Sequence, residues 1–163
     1  MPRFRITVEH VRNRIQSLEV SRARNWPEES YVQSYPHLLG FFAGAHIDER
    51  MLVQGAHMVY GWMPTVLSMN MQKVPDAVRV LRHLQAASDE PLAPDQWKSL
   101  SFAVNNSLVG ASKLAHFVAP ERVAIWDSRV IRYLVRGRAS TARPALQRRA
   151  PAIESLMRYQ AAM

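Results

Sequence analysis

Cysteine is absent from all 163 residues, which excludes disulfides, iron–sulfur clusters and thiolate zinc sites. That absence suits a reducing compartment, and a cytoplasmic location is expected. Long apolar runs are missing as well. No stretch approaches about 18 uncharged apolar residues, so no membrane span and no membrane partner is expected. The opening residues, MPRFRITVEHVRNR, carry charge throughout and contain no apolar core, so a secretory signal is not expected either. Histidines are scattered without H-x-x-x-H or HExxH spacing, so no metal is expected. There is no Walker loop and no G-x-S-x-G turn, and the sequence gives no reason to expect any cofactor.

Acidic residues are the scarce charge. There are 13 against 21 basic residues, a formal net charge of +8 and a pI near 10.6. For a small domain that balance favours a polyanionic partner, nucleic acid first. Apolar residues make up 48% of the chain, which is the composition of a globular protein. The length suits one domain, 1–163, with a real core.

Repeats, alternating strand patterns and low-complexity tracts are missing too, whereas helical stripes recur. Ile6, Val8, Val11, Ile15 and Leu18 mark one over 5–20. Asn25-Trp26-Pro27-Glu28-Glu29 opens a helix, with proline and two acids at its positive end. Residues 31–45 continue as helix despite Pro36, Gly40 and Gly44. Asp48 caps a helix through Gly61, with Met51, Leu52, Ala56, Val59 and Tyr60 facing inward. Trp62 to Thr65 ends or kinks that helix, and 66–71 is a short continuation. Pro75-Asp76 starts a helix to about Ala87 on the stripe Val78, Leu81 and Leu84. Ala93-Pro94-Asp95 starts the next, running into Asn106, and a last helix covers 151–162. The expected fold is all-α, a compact multi-helix domain of about eight or nine helices.

Chemistry concentrates between Asn105 and Arg132. The stretch reads as a helix end, a tight Leu108-Val109-Gly110 turn and a second short helix stopped by Pro120. An apolar run, Val123-Ala124-Ile125, then delivers Trp126 and Asp127 to a third helix start. The glycine is expected at a sharp reversal because it accepts positive φ or supplies no Cβ. Asp127-Ser128 is a start signal, since a carboxylate there accepts backbone N–H bonds. Beyond it, Arg136, Arg138, Arg143, Arg148 and Arg149 make a basic C-terminal segment, 136–163. It reads either as a solvated connection or as a phosphate-contacting surface.

These residues resemble the helix-hairpin-helix DNA glycosylase superfamily over about 95–137. Leu108-Val109-Gly110 stands at the hairpin. Asp127-Ser128-Arg129-Val130 stands at the family's aspartate motif, and Arg132 follows one turn on. The resemblance implies two helical lobes around a cleft, and duplex DNA gripped mainly through its phosphates. It also implies a base flipped from the stack and an aspartate assisting hydrolysis of its N-glycosidic bond. Asp127 would be the catalytic carboxylate. Backbone amides at Val109, Gly110 and Ala111, with Ser112, Arg129, Arg132, Arg148 and Arg149, would hold DNA. In the lyase-competent branch a lysine stands where this chain has Ser112. Lys113 comes one residue later, a rotation of about 100° on a helix. Lys113 is therefore a phosphate contact before it is a Schiff-base nucleophile, and hydrolysis without lyase chemistry is expected. Asn105, Asn106, His116, Trp126, Tyr60 and Trp62 are the candidates for the substrate pocket. Each has an ordinary alternative: a cap for Asp127, a surface cation for Lys113, packing or capping for the rest. Two other classes of answer stand beside excision. One is a non-catalytic helix-hairpin-helix DNA-binding module. The other is a protein-interaction component of a bacterial defence or toxin–antitoxin system.

Overall fold

A computed structural model describes residues 7–9, 12–13, 30–63, 65–86, 90–134 and 149–163, without the side chains of 31, 32 and 149–151. Most of the stripe expected over 5–20, the helix start at 25–29 and the arginine segment through Arg148 lie outside these residues. Among the described residues the regular structure is helical: α1 Ser30–Phe42, α2 Glu49–Trp62, α3 Val74–Gln85, α4 Pro94–Ala103, α5 Leu108–Val118, α6 Ser128–Leu134 and α7 Arg149–Gln160. A 3-10 turn, Met71–Lys73, leads into α3, and one isolated antiparallel bridge joins Met69 to Val104. No helix among them is long and apolar enough to cross a membrane.

The starts obey local chemistry. Asp48 accepts a hydrogen bond from the Met51 amide at 2.7 Å and caps α2, as its position implies. Pro75 and Pro94 stand in the first turns of α3 and α4, where a missing N–H costs nothing. At α4 the Gln96 side chain also accepts from the Ala93 amide at 2.8 Å.

Two expectations fail, for one shared reason. Residues 66–71 do not continue the helix; 65–68 run without regular structure, past the 103–105 backbone. The Asn70 amide donates to Ala103 O at 3.0 Å and the Asn105 amide to Ser68 O at 2.9 Å. The Asn105 side chain completes the link, accepting from the Ser68 amide and donating to Val66 O at 2.8 Å. Asn105 thus supplies the partners that a helix would have supplied internally. It also moves the hairpin turn. Asn105 and Asn106 adopt φ of 52° and 51°, the left-handed region that asparagine tolerates best after glycine. The reversal is therefore made by two asparagines. Leu108-Val109-Gly110 is the first turn of α5, capped by Ser107, whose Oγ accepts from the Gly110 amide at 3.1 Å.

Gly110 is required for another reason. A Cβ built there would overlap the Tyr60 hydroxyl outright and stand 2.7 Å from its Cζ. Tyr60 is 2% exposed, and its hydroxyl donates to Val104 O at 3.3 Å. Ser107 hydrogen-bonds the same phenol, which burial pushes above its ordinary pKa. Tyr60 is the post under the hairpin.

The chain divides into two compact units, Asn25–Ile125 and Met1–Arg24 together with Trp126–Met163. The division falls inside the stretch 95–137 that the sequence presents as one piece. In the first unit α5 packs against α1, α2, α3 and α4. Gly110, Ala111, Ser112 and Ala115 let neighbours approach, while Leu114 and Phe117 fill the space between. Burial of each large side chain contributes about 1.5–3 kcal/mol. After α5, Arg122 ties the chain back. Its guanidinium donates to Leu84 O and, at 3.1 Å, to Ala86 O, satisfying carbonyls at the end of α3, and to Glu90 O at 2.8 Å.

Replacing Gly110 with alanine is expected to lower stability by about 2 kcal/mol. Overpacking costs about 1–3 kcal/mol, and alanine's helix propensity offsets up to about 1 kcal/mol. In a Tyr60→Phe background the same change should cost less, because the overlapping oxygen is gone. Urea denaturation of the four proteins checks this; an equal cost in both backgrounds would rule out the hydroxyl as the cause and leave the ring carbons.

Candidate functional site

Asp127 is the second residue of the C-terminal segment, Trp126–Met163, of the other unit. Its Oδ1 accepts from the Arg129 amide at 2.8 Å and the Val130 amide at 2.9 Å, so the carboxylate holds the first turn of α6. Trp126 beside it is 1% exposed and packs on Tyr159, with ring centroids 5.5 Å apart. It is a packing side chain and not the wall of an open pocket. The Tyr159 phenol is pushed up in pKa by burial and then by the charge of Asp127. Arg129 and Arg132 are exposed on α6, and Arg132 Nε donates to Ser128 O at 3.2 Å. On α7, Arg158 pairs with Glu154 at 2.7 Å. Arg148 lies outside the described residues; Arg149 is the first residue of α7.

Charge divides with the units. The unit made of Met1–Arg24 and Trp126–Met163 holds fourteen basic residues against four carboxylates, a formal excess of ten positive charges. The unit Asn25–Ile125 holds seven against nine, a formal −2. The whole basic character of the protein belongs to the unit that contains Asp127. Even if every carboxylate there neutralised one arginine, ten would remain. So dense an excess repels itself and favours a bound polyanion.

The other candidates belong to the first unit, where the structure sorts them into three places. Gly110, Ala111 and Ser112 are buried on α5. The Gly110 amide is taken by Ser107 Oγ, the Ala111 amide donates to Ser107 O at 2.9 Å, and the Ser112 hydroxyl to Val109 O at 2.9 Å. Those two amides are thus committed inside the helix cap, and Val109 is the half-buried residue of the three proposed to grip phosphate. Asn105 and Asn106 line an open groove of about 760 Å³ with Met71, Phe102 and Gln72. The Asn105 side chain is used on backbone there, so its hydrogen bonds are structural.

Lys113, His116 and Trp62 do come together, and Tyr35 joins them. Lys113 Nζ lies 5.6 Å from the Trp62 ring centroid, a cation–π contact. Trp62 packs edge-on against Phe117, at 5.3 Å, and Tyr35 stacks on His116 at 5.7 Å. His116 Nδ1 contacts Val123 O at 2.5 Å and Nε2 the Tyr35 hydroxyl at 2.6 Å. A carbonyl only accepts, so Nδ1 carries the proton, and in the neutral ring Nε2 accepts from Tyr35. Burial drives the His116 pKa down, opposed by the Val123 bond and the charge of Glu121. Burial and Glu121 drive Tyr35 up. The pair joins α1 to the return segment that leads to Asp127. Tyr35 and Arg122 carry no motif, and nothing in the sequence separates them from other tyrosines and arginines.

No protein-family model, no curated protein and no solved structure matches this chain.

The depressed pKa gives a pH dependence of definite sign. Folded protein binds fewer protons at His116 than unfolded chain does, so stability rises with pH. The contribution is fully present above the unfolded value, about 6.5, and is lost as pH falls below it. Chemical denaturation of wild type and His116→Gln between pH 5 and 8 should show their difference shrinking toward the acid side. A difference that grew on acidification would reverse the assignment of a neutral ring.

Proposed function

We propose that this chain is a duplex-DNA-binding protein that grips phosphates with its arginine-rich unit. The observation that supports this best is the charge division, an excess of ten in the unit of Asp127 against a deficit in the other. DNA carries the uniform, dense negative charge that such an excess matches. Binding of this kind weakens steeply with salt, by about 0.9 in logarithmic slope per phosphate neutralised. Neutralising Arg148 and Arg149 together to glutamine is expected to lower the slope by up to about 2 units, similarly for all sequences. Fluorescence anisotropy on a labelled duplex across a salt series measures it. An unchanged slope would put that segment off the DNA, and negligible binding at moderate salt would favour a protein-interaction role instead.

The resemblance to helix-hairpin-helix glycosylases adds a second reading, excision of a flipped base within a cleft flanked by two helical lobes. Asp127 favours it: a half-buried carboxylate at a helix start, in the charged unit, directly after an apolar return. In that chemistry the carboxylate stabilises the oxocarbenium-like sugar and orients the attacking water. Asparagine would keep one acceptor for the α6 amides but no negative charge. Asp127→Asn should therefore leave folding and DNA binding nearly intact while lowering turnover roughly 10²-fold or more. Lys113→Gln should chiefly weaken binding, with no covalent adduct trapped by borohydride. The assay is release of modified bases from a panel of damaged duplexes. Full activity of Asp127→Asn on a confirmed substrate would end the excision reading and leave the binding one.

A further inference from the structure

Residues 65–69 run beside 103–105, and their main chain is satisfied on one side only. Val66 O, Ser68 N, Ser68 O and Asn70 N are all engaged by Asn105 or Ala103. The bridge between Met69 and Val104 is the non-bonded pair of a short antiparallel ladder, flanked by its hydrogen bonds and sharing none. In such a strand alternate residues turn their N–H and C=O groups to opposite edges. Those of Leu67 and Met69 therefore point away from 103–105, and among the described residues neither finds a hydrogen-bond partner. Exposure alternates in step: Val66, Ser68 and Asn70 are exposed, Leu67 and Met69 half-buried. An edge of this kind is a template for another strand, and lysine or proline usually blunts it. Residues 65–69, Thr-Val-Leu-Ser-Met, contain neither.

We propose that a second copy of this chain supplies that strand, its own 65–69 pairing antiparallel to this one about a two-fold axis at Ser68. The edge is its own complement, because one symmetric register uses every free group. Leu67 exchanges both hydrogen bonds with the partner subunit's Met69, and Met69 does so with the partner subunit's Leu67. Ser68 then faces the partner subunit's Ser68 as the non-bonded pair between them. Charge selects a copy over nucleic acid. No residue of 65–72 is charged, and Phe102, Asn105 and Asn106, which line the adjoining groove with Met71, are neutral too. A phosphate would meet no cation here, whereas two chains of net charge +8 can meet here without opposing like charges. Apolar exposure gathers at the same place. Val66 is 88% exposed, Met71 58% and Phe102 41%, three of the five large apolar side chains exposed among the described residues. Pairing withdraws part of that surface from water. Two five-residue edges make a small interface, so the dimer is weak, with a dissociation constant of roughly 10–100 µM.

The absence of cysteine lets the register be tested directly. Non-bonded antiparallel partners stand about 4.5 Å apart at Cα, within the roughly 4.4–6.8 Å that a disulfide spans. Under oxidised glutathione, Ser68→Cys is expected to cross-link into dimers about tenfold faster than Val66→Cys, whose two copies would lie about 13 Å apart along the edge. Light scattering over a concentration series follows association of the wild-type protein and of two charge variants. Ser68→Lys and Ser68→Glu each place like charges face to face, and each should dimerise about threefold or more weakly than wild type. An equimolar mixture of the two should recover the dimer. The Ser68 side chain is exposed, and circular dichroism melts confirm that every protein is folded. A wild-type protein that stays monomeric to millimolar concentration would overturn the proposal and leave the edge to a strand of another protein. Equal cross-linking of the two cysteine variants would overturn it, as would a mixture no more dimeric than its components.

Discussion

The contact between Tyr60 and Gly110 is what the first unit is arranged around. A phenol buried beneath a helix start leaves no room for any side chain above it. Its hydroxyl reaches a carbonyl and a serine of the turn that precedes that helix. This one ring therefore sets the height of α5, the position of the turn and the identity of residue 110. Because α5 touches four other helices among the described residues of the unit, its height sets theirs. A small residue at the centre of a packed layer acts here as a spacer of zero thickness, and the layer closes only at that thickness.

Much of the helical framework was legible because helix starts are written in local chemistry. Asp48, Pro75, Pro94 and Asp127 act where their side chains say they should, within a residue or two of the sequence. The hairpin was legible as a reversal but not in its detail. The sequence offers Gly110 for the reversal on two grounds, freedom of φ or the missing Cβ, and only the second applies. Two adjacent asparagines took the turn instead, and glycine served close packing. Ser107, directly before an apolar run, was the signal that could have moved the boundary. The loss of the 66–71 helix had no local signal, since it depends on Asn105, about 40 residues away, supplying amide partners. Tertiary hydrogen bonds override propensity in this way wherever a short segment has little helix strength of its own.

The candidate site was legible in part. Lys113, His116 and Trp62 meet as a cluster, though from sequence only Lys113 and His116 were neighbours. Asp127 belongs with the arginines in the other unit. Lys113 and Asp127, close along the chain, fall in different units. The total charge of +8 concealed the arrangement more thoroughly than any motif. It averages a strongly basic unit with a slightly acidic one, and only the three-dimensional division separates the two.

That division also orders events in time. The unit Asn25–Ile125 is continuous in sequence, whereas its companion needs both the segment ending at Arg24 and the one beginning at Trp126. On a ribosome working at about 5–20 residues per second, roughly 5–20 s separate the synthesis of those two segments. The continuous unit can form its contacts as it emerges. Joining the two segments of that unit closes a loop about a hundred residues long, an entropic cost that the continuous unit does not bear.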